Sequence, residues 1–199
     1  MKRLALILLS LAVVSGCTSE SPQQSAKPEP AELLTGRSAF QKLYVTARGW
    51  APDVRPYQLQ SGVVGDNKGR DGKAVVWSAA FASAAIHTSK PYTWSGVDAP
   101  DAPSRGVTQG TQDTSFTPTN TFDMQFLKID SDKAFEISQK HGGEGILQKK
   151  PDTPVLYHLD WNHSGNNLVW HVMYGGTGAD AALTNDIDAT SGEFLRKEK

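Results

Sequence analysis

The stretch "LVWHVMYGG", Leu168 to Gly176, sets branched and aromatic residues around a tryptophan and ends in a glycine pair. That composition predicts a strand that runs into a turn. Ahead of it, "TPVLYHLDW" (Thr153–Trp161) reads as a second strand, and "NHSGNN" (Asn162–Asn167) as the turn between them. Further upstream, "IDSDKAFEISQKHGG" (Ile129–Gly143) predicts a helix. Asp130 or Ser131 can cap it, Asp132 sits in its first turn, Lys140 and His141 sit in its last, and Gly142 and Gly143 stop it. Downstream, "ALTNDIDATSGEFL" (Ala182–Leu195) reads as a last strand.

The same order of elements occurs earlier in the chain. "SAFQKLYVTARGWAPD" places Phe40, Leu43, Tyr44 and Ala47 on one helical face, with Gly49 and Pro52 as stop signals. "RPYQLQSGVV" predicts a strand, "NKGRDG" a turn, "KAVVWSAAFASAAI" a long strand and "SKPYTWSG" a third. The registers agree: Ala39–Phe40 matches Ala134–Phe135, Trp77 matches Trp170, and Ser95–Gly96 matches Ser191–Gly192. One such unit is too small to bury a good core. The expected fold class is therefore α+β, two repeated units that each follow a helix with an antiparallel β-meander and that pack together. The connector near residues 101–121 is expected to hold one short strand at Gly106 to Thr108.

The N-terminus has a different character. Lys2 and Arg3 precede the apolar run Leu4–Val14, which is too short to span a bilayer comfortably. Val14-Ser15-Gly16-Cys17 follows, and Cys17 is the chain's only cysteine. This tract resembles the lipobox of bacterial lipoproteins. The resemblance implies cleavage before Cys17 and acylation of Cys17, with acyl chains holding the protein to a membrane. Thr18 stands where many Gram-negative sorting rules read aspartate as inner-membrane retention, so the expected location is the outer membrane, facing the periplasm. "SESPQQSAKPEP" is too polar to order itself and reads as a tether. The expected organisation is a signal peptide over 1–16, lipidated cysteine and tether over 17–33, a first repeat over 34–100, a connector over 101–121 and a second repeat over 122–199.

The second repeat resembles the PepSY domain. The resemblance rests on "KAFEISQKHGG", on "LVWHVMY", and on the closing turn Asp188-Ala189-Thr190-Ser191-Gly192-Glu193. The first repeat lacks that acidic turn and is similar only in a degenerate way. The resemblance implies a cystatin-like layout and a loose association with control of extracytoplasmic peptidases.

Motifs for chemistry are sparse. His158 and Asp160 share a strand face, His171 lies on the next strand and His163 in the turn between, so these could approach a zinc-type cluster if the register allowed. Alternation assigns His158, Asp160 and Asn162 to a solvated face and Tyr157, Leu159 and Trp161 to a buried one. Asp186 and Asp188 likewise read as a solvated face. No G-x-S-x-G nucleophile elbow occurs, and "YGGTGAD" lacks the Lys-Ser/Thr of a phosphate loop. Repetition marks Trp77 and Trp170 as core; Trp50 and Trp94 are less constrained, read first as core and, as the alternative, as recognition residues in an exposed groove. With 20 basic against 21 acidic residues there is no footprint for nucleic acid. The expectation is a non-enzymatic binding module without cofactor. Its partner would be an extracytoplasmic peptidase or another envelope protein, recognised through a sheet edge at 183–195 or at the outer strand of the first unit. The alternative is a small ligand held between helix and sheet, where "SAAFASAA" could line a cavity.

Overall fold

The computed structural model describes residues 29–110 and 116–198. Cys17 and the greater part of the expected tether lie outside the described residues. The first unit contains β1 (Leu34–Thr35), α1 (Gly36–Ala47), β2 (Arg55–Gly62), β3 (Lys73–Ala74), β4 (Val76–Ser83), β5 (Thr88–Ser95) and β6 (Gly106–Gln109). The second contains α2 (Ser131–Ser138), α3 (Glu144–Lys149), β7 (Val155–Asn162), β8 (Asn167–Tyr174), β9 (Leu183–Asp188) and β10 (Phe194–Glu198). The two meanders join into one eight-stranded antiparallel sheet in the order β10-β9-β8-β7-β2-β4-β5-β6. The seam is β2 against β7, with Leu59 opposite Leu159 and Gln60 opposite His158.

Both helices pack on the same face of this sheet. α1 buries Gly36, Ala39, Phe40, Leu43 and Ala47, and α2 buries Ser131, Ala134, Phe135 and Ser138. Beneath them lie Trp77, Phe81, Tyr92, Tyr157, Trp170 and Tyr174, all at most 1% exposed. Trp77 and Trp170 meet edge to face at 6.4 Å across the seam. Each indole also ties down its own unit. Trp77 Nε1 donates to the Leu34 carbonyl and Trp170 Nε1 to the Ile129 carbonyl, both at 2.9 Å. Leu34 and Ile129 each stand two residues before the first residue of their helix, so the repeat extends to a single hydrogen bond.

The helix N-termini converge above this pair. Asp130 Oδ1 accepts from its neighbour Ser131 N at 2.7 Å and from Arg37 N of the other helix at 2.8 Å. Ser131 Oγ accepts from Gly36 N at 2.7 Å and donates to the Gly72 carbonyl at 2.6 Å. One Asp-Ser pair thus satisfies orphan donors of both helices. Gly36 is glycine because a Cβ there would lie 2.6 Å from Trp170 Cη2 and 3.1 Å from Trp77 Cη2.

Several boundaries differ from the sequence expectations. Gly142 and Gly143 do not stop the second helix. They sit in a wide π-type turn, Gln139–Gly143, after which the helix resumes as α3. The cause is Tyr174, whose hydroxyl bonds Ser138 Oγ at 2.9 Å and Gln139 Nε2 at 2.7 Å, leaving no room for a Cβ at Gly143. The long strand at 73–86 is shorter, because Ala84–His87 form a turn whose Ala85 N–H is held by Asp53. The last strand is two strands, β9 and β10, since Asp188 accepts from the backbone N–H of Thr190 and Ser191 and closes a turn at Gly192. The expected strand in the connector is present as β6. It pairs with β5 and completes the first unit's meander, so that unit runs past residue 100. The end of the expected tether is fastened: Glu32 N donates to the Gly96 carbonyl, and Arg105 reaches the Pro30 carbonyl and Glu29.

Substituting Ser131→Ala is expected to strand the buried Gly36 N–H and Gly72 carbonyl together. The expected cost is about 1–3 kcal/mol, read as a lowered midpoint in urea denaturation with an unchanged slope.

Candidate functional site

The face of the sheet opposite the helices carries no covering element among the described residues. Register lines up a row of side chains along it. Thr108 pairs with Thr93, Thr93 with Ser78, Ser78 with Gln60, Gln60 with His158, His158 with His171, His171 with Asp186, and Asp186 with Arg196. This row crosses all eight strands and is polar throughout. In the first unit it is neutral, with Ser78 and Thr93 hydroxyls 2.9 Å apart. In the second unit it is ionic.

The ionic half is a relay of alternating charge. His158 Nε2 meets Asp160 Oδ2 at 3.1 Å, and His171 Nε2 meets Asp160 Oδ1 at 3.1 Å. His171 Nδ1 bonds Asp186 Oδ1 at 2.6 Å, and Arg196 Nε donates to Asp186 Oδ2 at 2.6 Å. Arg196 in turn pairs with Glu198 at 3.0 Å. Burial opposes the charged form of His171, but the Asp160 and Asp186 carboxylates outweigh it and push its pKa up to about 9. Burial also opposes ionisation of Asp160, yet hydrogen bonds from His158 and His171 hold it well below the usual carboxylate range. Asp186 is lowered in the same way, burial being overcome by His171 and Arg196. His171 is therefore an imidazolium bracketed by two carboxylates at neutral pH.

The structure thus brings His158, Asp160 and His171 together, in the register the sequence left open. It does so as a hydrogen-bonded ion network rather than as a ligand set. Among the described residues no group of three or more His, Cys, Asp or Glu is arranged to hold a metal. The physical reason is visible: the Asp160 carboxylate occupies the space between the two Nε2 atoms, and both ring nitrogens of His171 are engaged. His163 is elsewhere, bonded to Asn120 Oδ1 at 2.7 Å. The expectation of a solvated Asp186 is corrected, since it is 2% exposed beneath His171 and Arg196. Trp94 takes the core reading rather than the recognition one. It is 3% exposed and packs in the core, so it offers no exposed recognition face. Trp50 is half-buried against the core, with Lys90 Nζ 5.2 Å from its ring centroid. Arg196 lies beyond the last strand expected over 182–195; in β10 period two puts it on one face with Glu198.

A depression of about 620 Å³ opens over the ionic half. Its lining includes the apolar Leu156 and Met173, the polar Gln60, His158, Asp160 and Glu198, and the loop at Thr177–Ala179. A second depression of about 610 Å³ lies against α2, lined by Asp71, Lys73, Asp132, Phe135, Glu136 and Lys140 among others, and the cavity expected between helix and sheet does not open under α1. That layer is filled by the aromatic core, and Ala39, Ala47 and Ala79 let α1 approach the sheet closely.

The network sets a pH dependence. His171, raised in the fold, stabilises fully below its unfolded value of about 6.5 and loses that contribution as pH rises through about 9. Asp160 and Asp186, lowered in the fold, stabilise above about 4 and lose that contribution as pH falls through their depressed values. The melting temperature is expected to be highest between roughly pH 4 and 6.5 as far as this network acts, and to decline toward pH 9.5. His171→Gln is expected to flatten the alkaline limb, measured by thermal denaturation across that range.

No protein-family model matches the chain, and no curated protein matches it. The PepSY resemblance therefore rests on the residues quoted for it and on the helix-then-meander layout. One solved structure is similar, that of a protein from Clostridium difficile 630 described as a candidate lipoprotein. It superposes with a TM-score of 0.53 over 80% of this chain and 91% of that one, at 10% identity. At that identity the likeness is one of fold: a doubled helix-and-meander unit closed into an α+β domain.

Proposed function

We propose that this chain is an extracytoplasmic lipoprotein, anchored by acyl chains on Cys17, whose domain is a non-enzymatic binding module using the uncovered face of its sheet. The observation that carries the reading is the contrast between the two faces. One is covered by helices, with a depression of about 610 Å³ against α2, while the other presents an eight-strand polar row and a depression of about 620 Å³. The Val14–Cys17 motif and the fold likeness to a candidate lipoprotein support the anchor. An outer-membrane location facing the periplasm follows from Thr18, and an extracytoplasmic peptidase is the partner that the PepSY resemblance favours.

The anchor suits such a task. Among the described residues, the N-terminal end of the chain is fastened to the domain at Glu29–Glu32, beside Gly96 at the end of β5. Antiparallel order puts that point at the same end of the sheet as the 177–179 loop that helps line the depression. Covalent geometry limits residues 18–28 to a span of about 40 Å, so a partner on this face would be held close to the membrane. The edge expected at 183–195 is less inviting. β9 is paired on both sides, and the true edge strand β10 carries Arg196, Lys197 and Glu198, charges that discourage strand addition. A second reading, a small ligand in the same depression, is favoured by its volume, which falls in the range of about 300–1,000 Å³ usual for such sites.

Two outcomes test the proposal. Cys17→Ser is expected to abolish palmitate labelling and move the protein from the membrane to the soluble fraction, with the domain's melting temperature unchanged. In a crosslinked pull-down from membranes, the wild type is expected to recover one partner in stoichiometric amount, and Thr93→Arg on the open face to lose it. Retention of that partner by Thr93→Arg would move binding off this face.

A further inference from the structure

The hairpin between β7 and β8 carries a pattern that the open face does not use. Of the six asparagines in the chain, only Asn162 is followed two positions on by a serine or threonine, in Asn162-His163-Ser164. That spacing is the acceptor pattern for attaching sugar to an asparagine amide, and it has meaning only on the surface of a chain outside the cytoplasm. Three residues in that order arise readily by chance, so the weight falls on how the fold presents them.

Asn162 ends β7, and His163, Ser164, Gly165 and Asn166 form an exposed turn. Asn166 takes a φ of 50°, a left-handed conformation that asparagine tolerates better than most residues, and leads the chain back into β8. His163 is bonded to Asn120 Oδ1 at 2.7 Å, which ties the turn to the connector. Asn162 Oδ1 accepts from Ser164 N at 3.1 Å and closes an Asx turn. The turn needs only that oxygen, which an aspartate would supply as well. Asn162 Nδ2 has no hydrogen-bond partner among the described residues, and it is not one of the unpaired polar atoms that are buried, so it meets solvent. The Ser164 hydroxyl is likewise unbonded among the described residues, on an exposed residue. A Cβ at Gly165 would lie 2.9 Å from Asn162 Nδ2, and glycine keeps that space clear. The amide nitrogen and the hydroxyl are thus the two groups of the pattern that the fold leaves unemployed. Antiparallel order sets this hairpin at the end of the sheet away from Gly96, where Glu32 is fastened, and away from the Thr177–Ala179 loop. A sugar chain there would project away from the anchor and leave the open-face depression clear.

We propose that Asn162 is a site of N-linked glycosylation, with an oligosaccharide carried on a polyprenyl diphosphate as donor and a membrane oligosaccharyltransferase as catalyst. Nδ2 attacks the anomeric carbon of the sugar; the N–C bond forms and the C–O bond to the diphosphate breaks. The diphosphate leaves with the bonding pair, and the amide gives one proton to a base of the transferase. The bond from Ser164 N to the amide oxygen makes the Nδ2 protons more acidic and so eases that transfer. The inference rests on the reading of the chain as extracytoplasmic.

The test is the mass of the full chain isolated from the organism that makes it, with peptide mapping by tandem mass spectrometry. Wild type from the membrane fraction is expected to carry a sugar increment on the peptide that contains Asn162. Asn162→Gln is expected to lose the increment completely. Ser164→Ala keeps the N–H that closes the Asx turn but lacks the hydroxyl, and it is expected to lose the increment with its melting temperature equal to that of unglycosylated wild type. Ser164→Thr is expected to retain the increment. An Asn162 peptide found only unmodified in membrane-derived protein overturns the site and leaves the extracytoplasmic reading standing. An increment that persists in Asn162→Gln also overturns the site. A chain recovered only from the cytosol, with Asn162 bare, overturns the extracytoplasmic reading and the site with it.

Discussion

Everything in this fold depends on two indoles meeting edge to face. Neither unit has enough apolar area to close a core alone. Trp77 and Trp170 are the largest fully buried side chains, and they touch across the only seam in the sheet. Burying each ring stabilises the fold by a few kcal/mol in transfer terms, with about 0.5–1.5 kcal/mol more from the ring–ring geometry. The indole N–H groups add direction. Because each bonds the chain two residues before its own helix, ring position and helix entry cannot vary independently. Gly36 then sits against both rings, and the Asp130–Ser131 pair fastens the two helix ends together. The repeat is thus a means of building one core from two small halves.

That construction has a consequence for function. All large aromatic side chains of the core are spent on one face of the sheet. The other face, which no element covers among the described residues, is held by polar side chains that bond one another sideways, strand to strand. The neutral Ser-Thr half and the ionic His-Asp-Arg half follow the two units, so the repeat is symmetric in its core and asymmetric on its working face. Divergence is affordable there because nothing in the helix packing depends on those side chains.

The repeat, the helix faces, the turn compositions and the burial of Trp77 and Trp170 were legible in the sequence, since periods of 3.6 and 2 are local properties. The grouping of His158 and Asp160 on one face was legible for the same reason. Their partnership with His171, Asp186 and Arg196 was not. Period two says which face a side chain takes, and only strand pairing says which residues on other strands lie beside it. Gly142 and Gly143 misled for a related cause. A glycine pair is a stop signal to a local reading, but Tyr174, some thirty residues on, turns it into a wide bend in a continuing helix.

By itself, then, the sequence determined the doubled helix-and-meander plan, the near-neutral balance of 20 basic and 21 acidic residues, and the single N-terminal cysteine with its small-residue approach. Tertiary structure decided that the two meanders form one sheet, that Trp94 is core and Asp186 buried, and that one depression opens on the sheet face away from the helices and another against α2. The physical reason is common to all of these. Local pattern sets what each segment buries, whereas the pairing of β2 with β7 sets which segments share a neighbour, and no local pattern encodes that pairing.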